Sequence, residues 1–213
     1  MKLKSLFILL ISGVLLATAS GCSKDDDNDN PQPQQPDGNS NGLAFLKVGN
    51  EWIYDYTAVD ATGIVKYKIL SKENNGYFKV NWFMGGDFEV FWHEADGAFS
   101  FMSEGQGGLN LILYKKDCKV GDSWTIKAVD DNQTEVTATN KVTSVGESVT
   151  TTAGTFNNCV KVHYTTSEDT KLHMNFYVHP QFGIVKMDGV GIMEIDHIPT
   201  YFPFQYVLKS KNF

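Results

Sequence analysis

Hydrophobic and polar residues alternate with a period of two along most of the chain after Leu43. In the stretch EWIYDYTAV, for example, Trp52, Tyr54, Tyr56 and Ala58 share one face. A period of two is the spacing of a β-strand whose faces meet different environments. Clusters of Gly, Asn and Asp separate these runs, and no window of helical length keeps a period of 3.6. The pattern predicts roughly a dozen short strands in an all-β, mainly antiparallel, meandering sheet.

One short motif occurs twice. KVGNEW, which ends at Trp52, returns as KVGDSW, which ends at Trp124. The glycine of each copy suits a turn with positive φ, and the tryptophan that follows is a large ring at the start of a strand. Two alternatives are open. Either the domain contains two similar sheet-starting units, or similar turn chemistry arose twice independently.

Residues 1–21 have the three zones of a secretory signal peptide. Lys2 and Lys4 give a positive start, an apolar stretch follows, and small residues lead to Cys22. The sequence Ala19-Ser20-Gly21-Cys22 is similar to a lipobox, in which the cysteine becomes the acylated first residue of a bacterial lipoprotein. This pattern predicts lipidation of Cys22 and a membrane partner through that lipid.

Residues 22–41 are predicted to form a lipidated, acidic and flexible tether. After Cys22 the chain reads SKDDDNDN, and it has no aliphatic or aromatic residue before Asn41. Such a segment cannot bury enough apolar area to offset its ordering entropy. An acidic cluster directly after the cysteine is similar to the export signal of some Gram-negative lipoproteins, which predicts the outer face of the outer membrane. A calcium loop is disfavoured because Asn30 and Pro36 stand where an EF-hand needs Gly and Glu.

Charge and composition narrow the function classes for the domain over residues 42–213. The formal net charge is −7, and all 18 basic residues are lysine. An acidic chain without a basic face is not expected to bind nucleic acid. The absence of arginine removes the planar, bidentate grip on phosphate and carboxylate, which disfavours an enzyme acting on nucleotides or anionic metabolites.

Four local patterns resemble a group of poorly characterised bacterial lipoproteins called TapB-like. They are LKVGNEWIYDY, KVGDSW, GTFNNCVKV and FYVHPQFGIVKM, and together they cover most of residues 43–188. The stretch His179-Pro180-Gln181-Phe182 departs from the Ala-Pro-Gly pattern that is usual in the group. The resemblance implies an antiparallel sheet curled around a core, half-barrel to barrel-like and similar to the half-barrels of the LolA and LolB lipoprotein carriers. It implies no activity for particular residues.

Two neighbouring strands are unusually aromatic. Six residues on them form the candidate ligand-binding set: Tyr77, Trp82, Phe83, Phe91, Trp92 and His93. Alternation puts aromatic rings on both faces, whereas a sheet with one wet face needs them on only one. Either both faces are covered, or one face lines a groove for a hydrophobic, glycan or peptide ligand.

No sequence motif predicts catalysis, a metal or a cofactor. His93-Glu94 begins like the H-E-x-x-H zinc motif, but Gly97 stands at the position of the second histidine. His173 and His179 are too far apart along one strand to share a metal ion. A glycosidase pair such as Glu89 and Glu94 is left open.

Cys118 and Cys159 either form a disulfide or remain separate thiols.

From the predicted anchor, the tether, the aromatic strands and the lack of catalytic motifs, we expect a non-enzymatic, surface-anchored lipoprotein that binds a ligand or a partner protein. The alternatives are an anchored hydrolase acting on polysaccharide or peptide and a purely structural envelope component.

Overall fold

The computed structural model describes residues 43–59, 61–102, 111–129, 135–195 and 198–213. Residues 1–42, with the predicted signal peptide, Cys22 and tether, lie outside the described residues. The described part of the chain contains no helix of the length and apolarity that crossing a bilayer would require. Its strands are β1 (Glu51–Ala58), β2 (Ala61–Lys72), β3 (Tyr77–Phe83), β4 (Asp87–Ala95), β5 (Ala98–Met102), β6 (Leu111–Lys115), β7 (Ser123–Val129), β8 (Glu135–Thr151), β9 (Gly154–Thr166), β10 (His173–His179), β11 (Gly183–Ile195) and β12 (Ile198–Lys211), with one 3₁₀ turn at Asn74–Gly76.

These 12 strands form one antiparallel sheet in the order β6-β5-β4-β3-β2-β1-β12-β11-β10-β9-β8-β7. Strands adjacent in sequence pair with each other except at β6 and β7, and β1 pairs with β12. The first and last strands of the chain, β1 and β12, therefore lie side by side in the middle of the sheet, and β6 and β7 are its two edges. The prediction of an all-β, antiparallel, barrel-like fold is confirmed.

The gap between the two edges is narrow, and we call it the seam between β6 and β7. The side-chain Nδ2 of Asn140 on β8 donates a hydrogen bond to the backbone carbonyl of Ile112 on β6, at 2.6 Å. The ammonium group of Lys115 on β6 lies 5.4 Å from the ring centre of Trp124 on β7. Side chains thus make contact across the seam, although no backbone ladder of the described strands joins β6 to β7.

The inward faces of the strands form one continuous aromatic core. Burial alternates along β1 and β3 as the sequence pattern predicts, with Trp52, Tyr54 and Tyr56 buried on β1. In a nearly closed barrel these rings come from strands far apart in sequence, so that Tyr56 packs against Tyr206 of β12 with 5.0 Å between ring centres. Burial of rings of this size is the main favourable contribution to the stability of the barrel.

The segment that precedes β1 closes one end of the barrel. Phe45 is fully buried, and its ring makes edge contacts with Trp52 and Phe99 at 6.5 and 5.3 Å. The side-chain amide of Asn50 donates a hydrogen bond to the Phe45 carbonyl at 2.9 Å and so fixes the turn. The chain therefore joins the barrel at its plugged end, beside the last strand.

The repeated motif forms the same turn in both copies. Gly49 and Gly121 have φ of +89° and +97°, a conformation that favours glycine. The backbone N–H of Gly49 donates to the Ile69 carbonyl at 2.9 Å, and that of Gly121 donates to the Val142 carbonyl at 2.9 Å. In each copy the residue after the glycine accepts a return bond from the same partner residue. The two copies therefore share their turn geometry, which is compatible with both alternatives, and they differ in the tryptophan that follows, since Trp52 is buried and Trp124 is only partly buried.

Candidate functional site

The structure divides the predicted ligand-binding residues between the two faces of the sheet. Trp82 and Trp92 point inward and are 1% and 4% exposed. The other four lie on the outer face, where they are half-buried: Tyr77, Phe83, Phe91 and His93. The six residues therefore do not form one groove, because neighbouring positions on a strand face opposite ways.

The outer four residues are engaged with neighbouring side chains. Tyr77 and His93 pair directly across β3 and β4, with their ring centres 4.4 Å apart. The Lys66 ammonium lies 5.6 Å from the ring centre of Phe83. Phe91 stands opposite Lys79 in the ladder. These contacts partly bury the four rings on the outer face, although no further layer of the described structure packs on that face.

The two inward tryptophans belong to a cluster of rings in the middle of the barrel. Trp92 contacts Trp52, Tyr67 and Phe99 at ring-centre separations of 5.1, 5.5 and 5.3 Å. Trp82 stacks on Tyr67 with 6.2 Å between ring centres. The aromatic density that the sequence shows on β3 and β4 is thus partly a contribution to the core.

A cavity of about 50 Å³ lies beside Trp92 inside the barrel. It is apolar and has no charged residue in its wall. Its lining residues are Tyr54, Tyr67, Trp92, Phe101, Leu111, Leu113, Met174, Phe176, Ile184, Met187, Phe204 and Tyr206. A cavity of about 150 Å³ in another protein core holds benzene, so this one accommodates only a smaller molecule unless its wall moves.

One residue that lines the cavity, Trp92, has a hydrogen-bond donor without a partner in the described part of the chain. The indole Nε1 of Trp92 is buried and makes no hydrogen bond to any described residue, and the same holds for Trp82 outside the cavity wall. By contrast, Trp52 donates to the Phe182 carbonyl at 2.7 Å, and Tyr54 donates to the Ile184 carbonyl at 2.7 Å. A buried N–H without a partner costs about 1–3 kcal/mol, which an acceptor brought within reach of the indole would recover.

The cavity stays electrically neutral. Burial, with a smaller effect from Tyr67, raises the pKa of the Tyr54 phenol, and burial likewise raises the pKa of Tyr206. Both hydroxyls are therefore protonated at neutral pH. An ionised ligand would find no opposite charge in this wall, so the site favours neutral molecules.

A second depression, of about 450 Å³, is open to solvent on the outer face of β1, β12, β11 and β10. We call it the outer cleft. It is lined by Thr57, Ala58, Val59, His173, Asn175, Asp188, Gly189, Pro203, Phe204 and Gln205. The ladder pairs Asn175 with Asp188, Asp188 with Gln205, and Gln205 with Thr57, so one row of polar side chains crosses four strands.

A hydrogen-bonded chain runs along this row. Nδ1 of His163 lies 3.0 Å from Oδ1 of Asn175, and Nδ2 of Asn175 donates to Oδ1 of Asp188 at 2.8 Å. The Lys186 ammonium contacts the other carboxylate oxygen of Asp188 at 2.9 Å. Partial burial raises the pKa of Asp188, but the hydrogen bonds from Lys186 and Asn175 and the charges of Lys186 and Lys161 outweigh it and leave the pKa below its ordinary value.

Sequence reasoning missed the polar residues of this row, because the period-two pattern gives a residue's face but not its neighbours. Their proximity depends on the register of β9, β10 and β11, which places His163, Asn175 and Asp188 side by side. A correct prediction of that register would have been needed to find them.

The carboxylate pair left open as a glycosidase candidate does not come together. Glu89 is on the outer face and forms an ion pair with Lys79 at 2.5 Å. Glu94 is five residues further along the same strand, so alternation puts it on the opposite face of the sheet. Its carboxylate accepts a hydrogen bond from the Leu43 backbone N–H at 2.6 Å. Among the described residues, no group of three or more His, Cys, Asp or Glu side chains is placed to hold a metal ion.

The disulfide considered for Cys118 and Cys159 is not formed, and both residues are free thiols. Cys118 follows β6 and is partly buried, whereas Cys159 is fully buried on β9. The Cys159 thiol donates to the Phe156 carbonyl at 3.4 Å, and burial, with a smaller effect from Glu147, raises its pKa to about 11. Neither thiol has the lowered pKa of a nucleophile.

Comparison with known proteins gives limited information. One similar solved structure is that of a "putative lipoprotein" from Parabacteroides distasonis, with a TM-score of 0.47 and 14% sequence identity over 78% of this chain and 96% of that chain. No protein-family model matches the chain, and no curated protein sequence gives a significant match. A likeness of this degree assigns neither a family nor an activity, and the resemblance to TapB-like lipoproteins continues to rest on the sequence patterns.

Proposed function

We propose that this protein is a lipid-anchored, non-enzymatic binding protein that holds a small, neutral, mainly apolar ligand inside its barrel. The observation that carries the proposal is the apolar cavity lined by Trp92, a residue whose buried indole N–H has no partner among the described residues. A purely structural protein gains nothing from a buried donor without a partner. A ligand with one hydrogen-bond acceptor would satisfy that donor and fill the cavity.

The wall of the cavity allows the ligand to be larger than the resting volume. Met174 and Met187 belong to it, and methionine side chains change shape at low cost. Leu111 and Leu113 also belong to it and lie on β6, an edge strand that in the described sheet pairs with β5 alone. We place the access route at the seam, because moving β6 away from β7 breaks the side-chain contacts of Asn140 and Lys115 but no backbone ladder of the described strands.

The anchor fits this arrangement. Lipidation of Cys22, the acidic run after it and the tether to residue 41 support attachment to the outer face of the outer membrane of a Gram-negative bacterium. The chain enters the barrel at the end plugged by Phe45. The opposite end, with the turn between β3 and β4, then faces away from the membrane.

The ligand site is tested with two small molecules of the same shape, acetone and isobutene, of which only acetone has an acceptor. Binding is followed through the methyl resonances of Met174 and Met187, which line the cavity and are present in every variant, in the polypeptide that starts after Cys22. We expect acetone to bind about 5- to 150-fold more tightly relative to isobutene than their transfer from water alone predicts, because it satisfies the indole. Trp92→Phe should abolish that preference.

Two variants serve as controls. Trp82→Phe removes a similarly unpaired indole N–H outside the cavity wall and should leave the preference unchanged. Leu113→Phe fills the cavity and should weaken the binding of both molecules. Equal preference in the wild type and in Trp92→Phe, or no saturable binding at all, would contradict the proposal.

The anchor is tested separately by a Cys22→Ser substitution. We expect the wild-type protein to incorporate labelled fatty acid and to fractionate with the outer membrane, and the variant to do neither. A variant that is still labelled would remove Cys22 as the acylated residue. Digestion of intact cells with an external protease reports whether the domain faces outward.

A glycan is the second candidate ligand, and the outer cleft favours it. Side-chain amides, a carboxylate and a threonine hydroxyl lie in one row there, and such groups form hydrogen bonds with sugar hydroxyls. A glycan-array measurement with wild type and Gln205→Ala tests it. Signals that are the same in both proteins would exclude this cleft as the glycan site.

A further inference from the structure

The outer face carries a pair of histidines that sequence spacing did not reveal. His163 on β9 stands directly opposite Asn175 on β10, and His173 lies two residues before Asn175 on the same face. The two histidines are therefore diagonal neighbours across the ladder, and their ring centres are 5.8 Å apart. Both rings are half-buried, so they remain accessible to solvent.

One nitrogen of each ring is held by a hydrogen-bond acceptor. Nδ1 of His173 lies 3.1 Å from the Lys171 carbonyl oxygen, so this nitrogen carries the proton in the neutral ring. Nδ1 of His163 lies 3.0 Å from Oδ1 of Asn175. Because Nδ2 of Asn175 already donates to Asp188, its Oδ1 must accept here, and His163 also carries its proton on Nδ1. Both neutral rings therefore keep a free lone pair on Nε2.

The separation of the rings suits a shared metal ion. With a metal–nitrogen bond of about 2.0–2.1 Å, each ring centre would lie roughly 3.2 Å from the ion, and a tetrahedral angle would place the two centres about 5.2 Å apart. The observed 5.8 Å is about half an ångström longer, so the rings must approach by that distance with both Nε2 atoms turned toward the ion, a movement that two half-buried side chains allow. The chain from Asp188 through Asn175 to His163 has the form of the outer hydrogen bonds that orient ligating histidines.

We propose that His163 and His173 together bind one divalent transition-metal ion of the Zn²⁺, Cu²⁺ or Ni²⁺ type through their Nε2 atoms. Two protein ligands leave the other coordination positions to water or to an oxygen atom of a molecule in the outer cleft, whose rim includes His173. The order of affinity should follow the general preference of nitrogen ligands, with Cu²⁺ bound more tightly than Zn²⁺.

The site is tested by calorimetric titration of the full-length chain in detergent micelles, without a histidine tag, with ZnCl₂ and with CuCl₂. We expect one equivalent to depend on the histidine pair and at least a tenfold loss of affinity in each of His163→Ala and His173→Ala. The Cu²⁺ complex should show two coupled nitrogens by electron paramagnetic resonance. His179→Gln, on the same strand as His173, is the matched control and should bind as the wild type does.

A variant that adds a metal ligand tests the site without relying on a loss of metal affinity. Thr165 is exposed, stands directly opposite His173 and lies two residues from His163 on the same face. Thr165→His adds a third imidazole to the pair and should tighten Zn²⁺ binding by tenfold or more. Far-UV circular dichroism confirms that each variant is folded, and His163→Gln and His173→Gln replace any alanine variant that is not.

The proposal is overturned if either single histidine variant binds metal as tightly as the wild type does. It is also overturned if His179→Gln loses as much affinity as the pair variants, or if the Cu²⁺ spectrum shows one coupled nitrogen. Weak binding by the acidic run after Cys22 would be common to every variant and would not change the comparison.

Discussion

Gly189 gives the sharpest test of the barrel geometry. It lies on β11, where it pairs with Met174 of β10 on one side and with Phe204 of β12 on the other. A Cβ atom added at Gly189 would lie 2.2 Å from the carbonyl oxygen of His173 and 2.8 Å from Cα of Met174. Real Cβ atoms do not approach other heavy atoms so closely, and both neighbours are backbone atoms that cannot rotate away. The Gly189→Ala substitution must therefore push β10 from β11 by about 1 Å.

The cost follows from that displacement. We expect the local loss of one or two ladder hydrogen bonds at about 1 kcal/mol each and overpacking strain of about 1–3 kcal/mol. The lower entropy of the unfolded alanine chain offsets about 0.4–1 kcal/mol. The net expectation is a loss of about 1–5 kcal/mol in the free energy of unfolding, with a central value of about 3 kcal/mol. For a domain of this size the central value lowers the melting temperature by about 6–12 °C.

Gly63 on β2 is the matched control. Its nearest neighbour for an added Cβ is a Tyr56 ring atom at 4.0 Å, which is ordinary contact. Gly63→Ala should leave the protein as stable or about 0.5–1 kcal/mol more stable. Urea unfolding followed by tryptophan fluorescence, with thermal melts by circular dichroism, measures both variants. The reasoning fails if Gly189→Ala is as stable as the wild type, or if the two substitutions cost the same.

Three further predictions concern single side chains. Trp52→Phe should cost about 1–3 kcal/mol more in urea unfolding than Trp92→Phe, because only the Trp52 indole has a hydrogen-bond partner; equal losses would contradict this. The pKa of Asp188 is lowered on folding below its ordinary value of 3.8, so its stabilising contribution is present above pH 3.8 and is lost as the pH falls through the folded pKa. The difference in urea midpoint between wild type and Asp188→Asn should shrink below pH 3.8, and a constant difference from pH 2 to 7 would refute it. In the polypeptide that starts after Cys22, a thiol reagent should modify only Cys118 before unfolding and Cys159 only in urea, since burial raises the Cys159 pKa to about 11. The Cys118→Ser variant should not be labelled when native, and native labelling of it would count against the burial of Cys159.

The alternation of the sequence was enough to predict which face of a strand each residue occupies. It placed Trp52, Tyr54 and Tyr56 together, and it separated Trp92 from Phe91, as the structure does. The face that a residue occupies is a local property, because it follows from the two-residue repeat of an extended chain. The repeated turn at the two motif glycines was also visible for a local reason, since positive φ favours glycine.

The candidate site was only half visible. The aromatic strands pointed to Trp92, but the cavity beside it needs Met174 and Phe204, which come from strands far away in sequence. The unpaired state of the Trp92 indole could not be predicted at all. It depends on where backbone carbonyls of other strands lie, as the contrast with Trp52 and its partner Phe182 shows.

The sequence by itself determined an all-β chain, the inward and outward positions on its strands and the turns that start two of them, and it predicts a leader and a lipid on Cys22. Only the tertiary structure decided that β1 pairs with β12 while β6 and β7 stay apart, that Cys118 and Cys159 remain free, and that His163 and His173 become neighbours. The physical reason is that alternation specifies a face, whereas partners are specified by strand order and register. Those arise from closing the whole sheet around one core, to which every strand contributes at once.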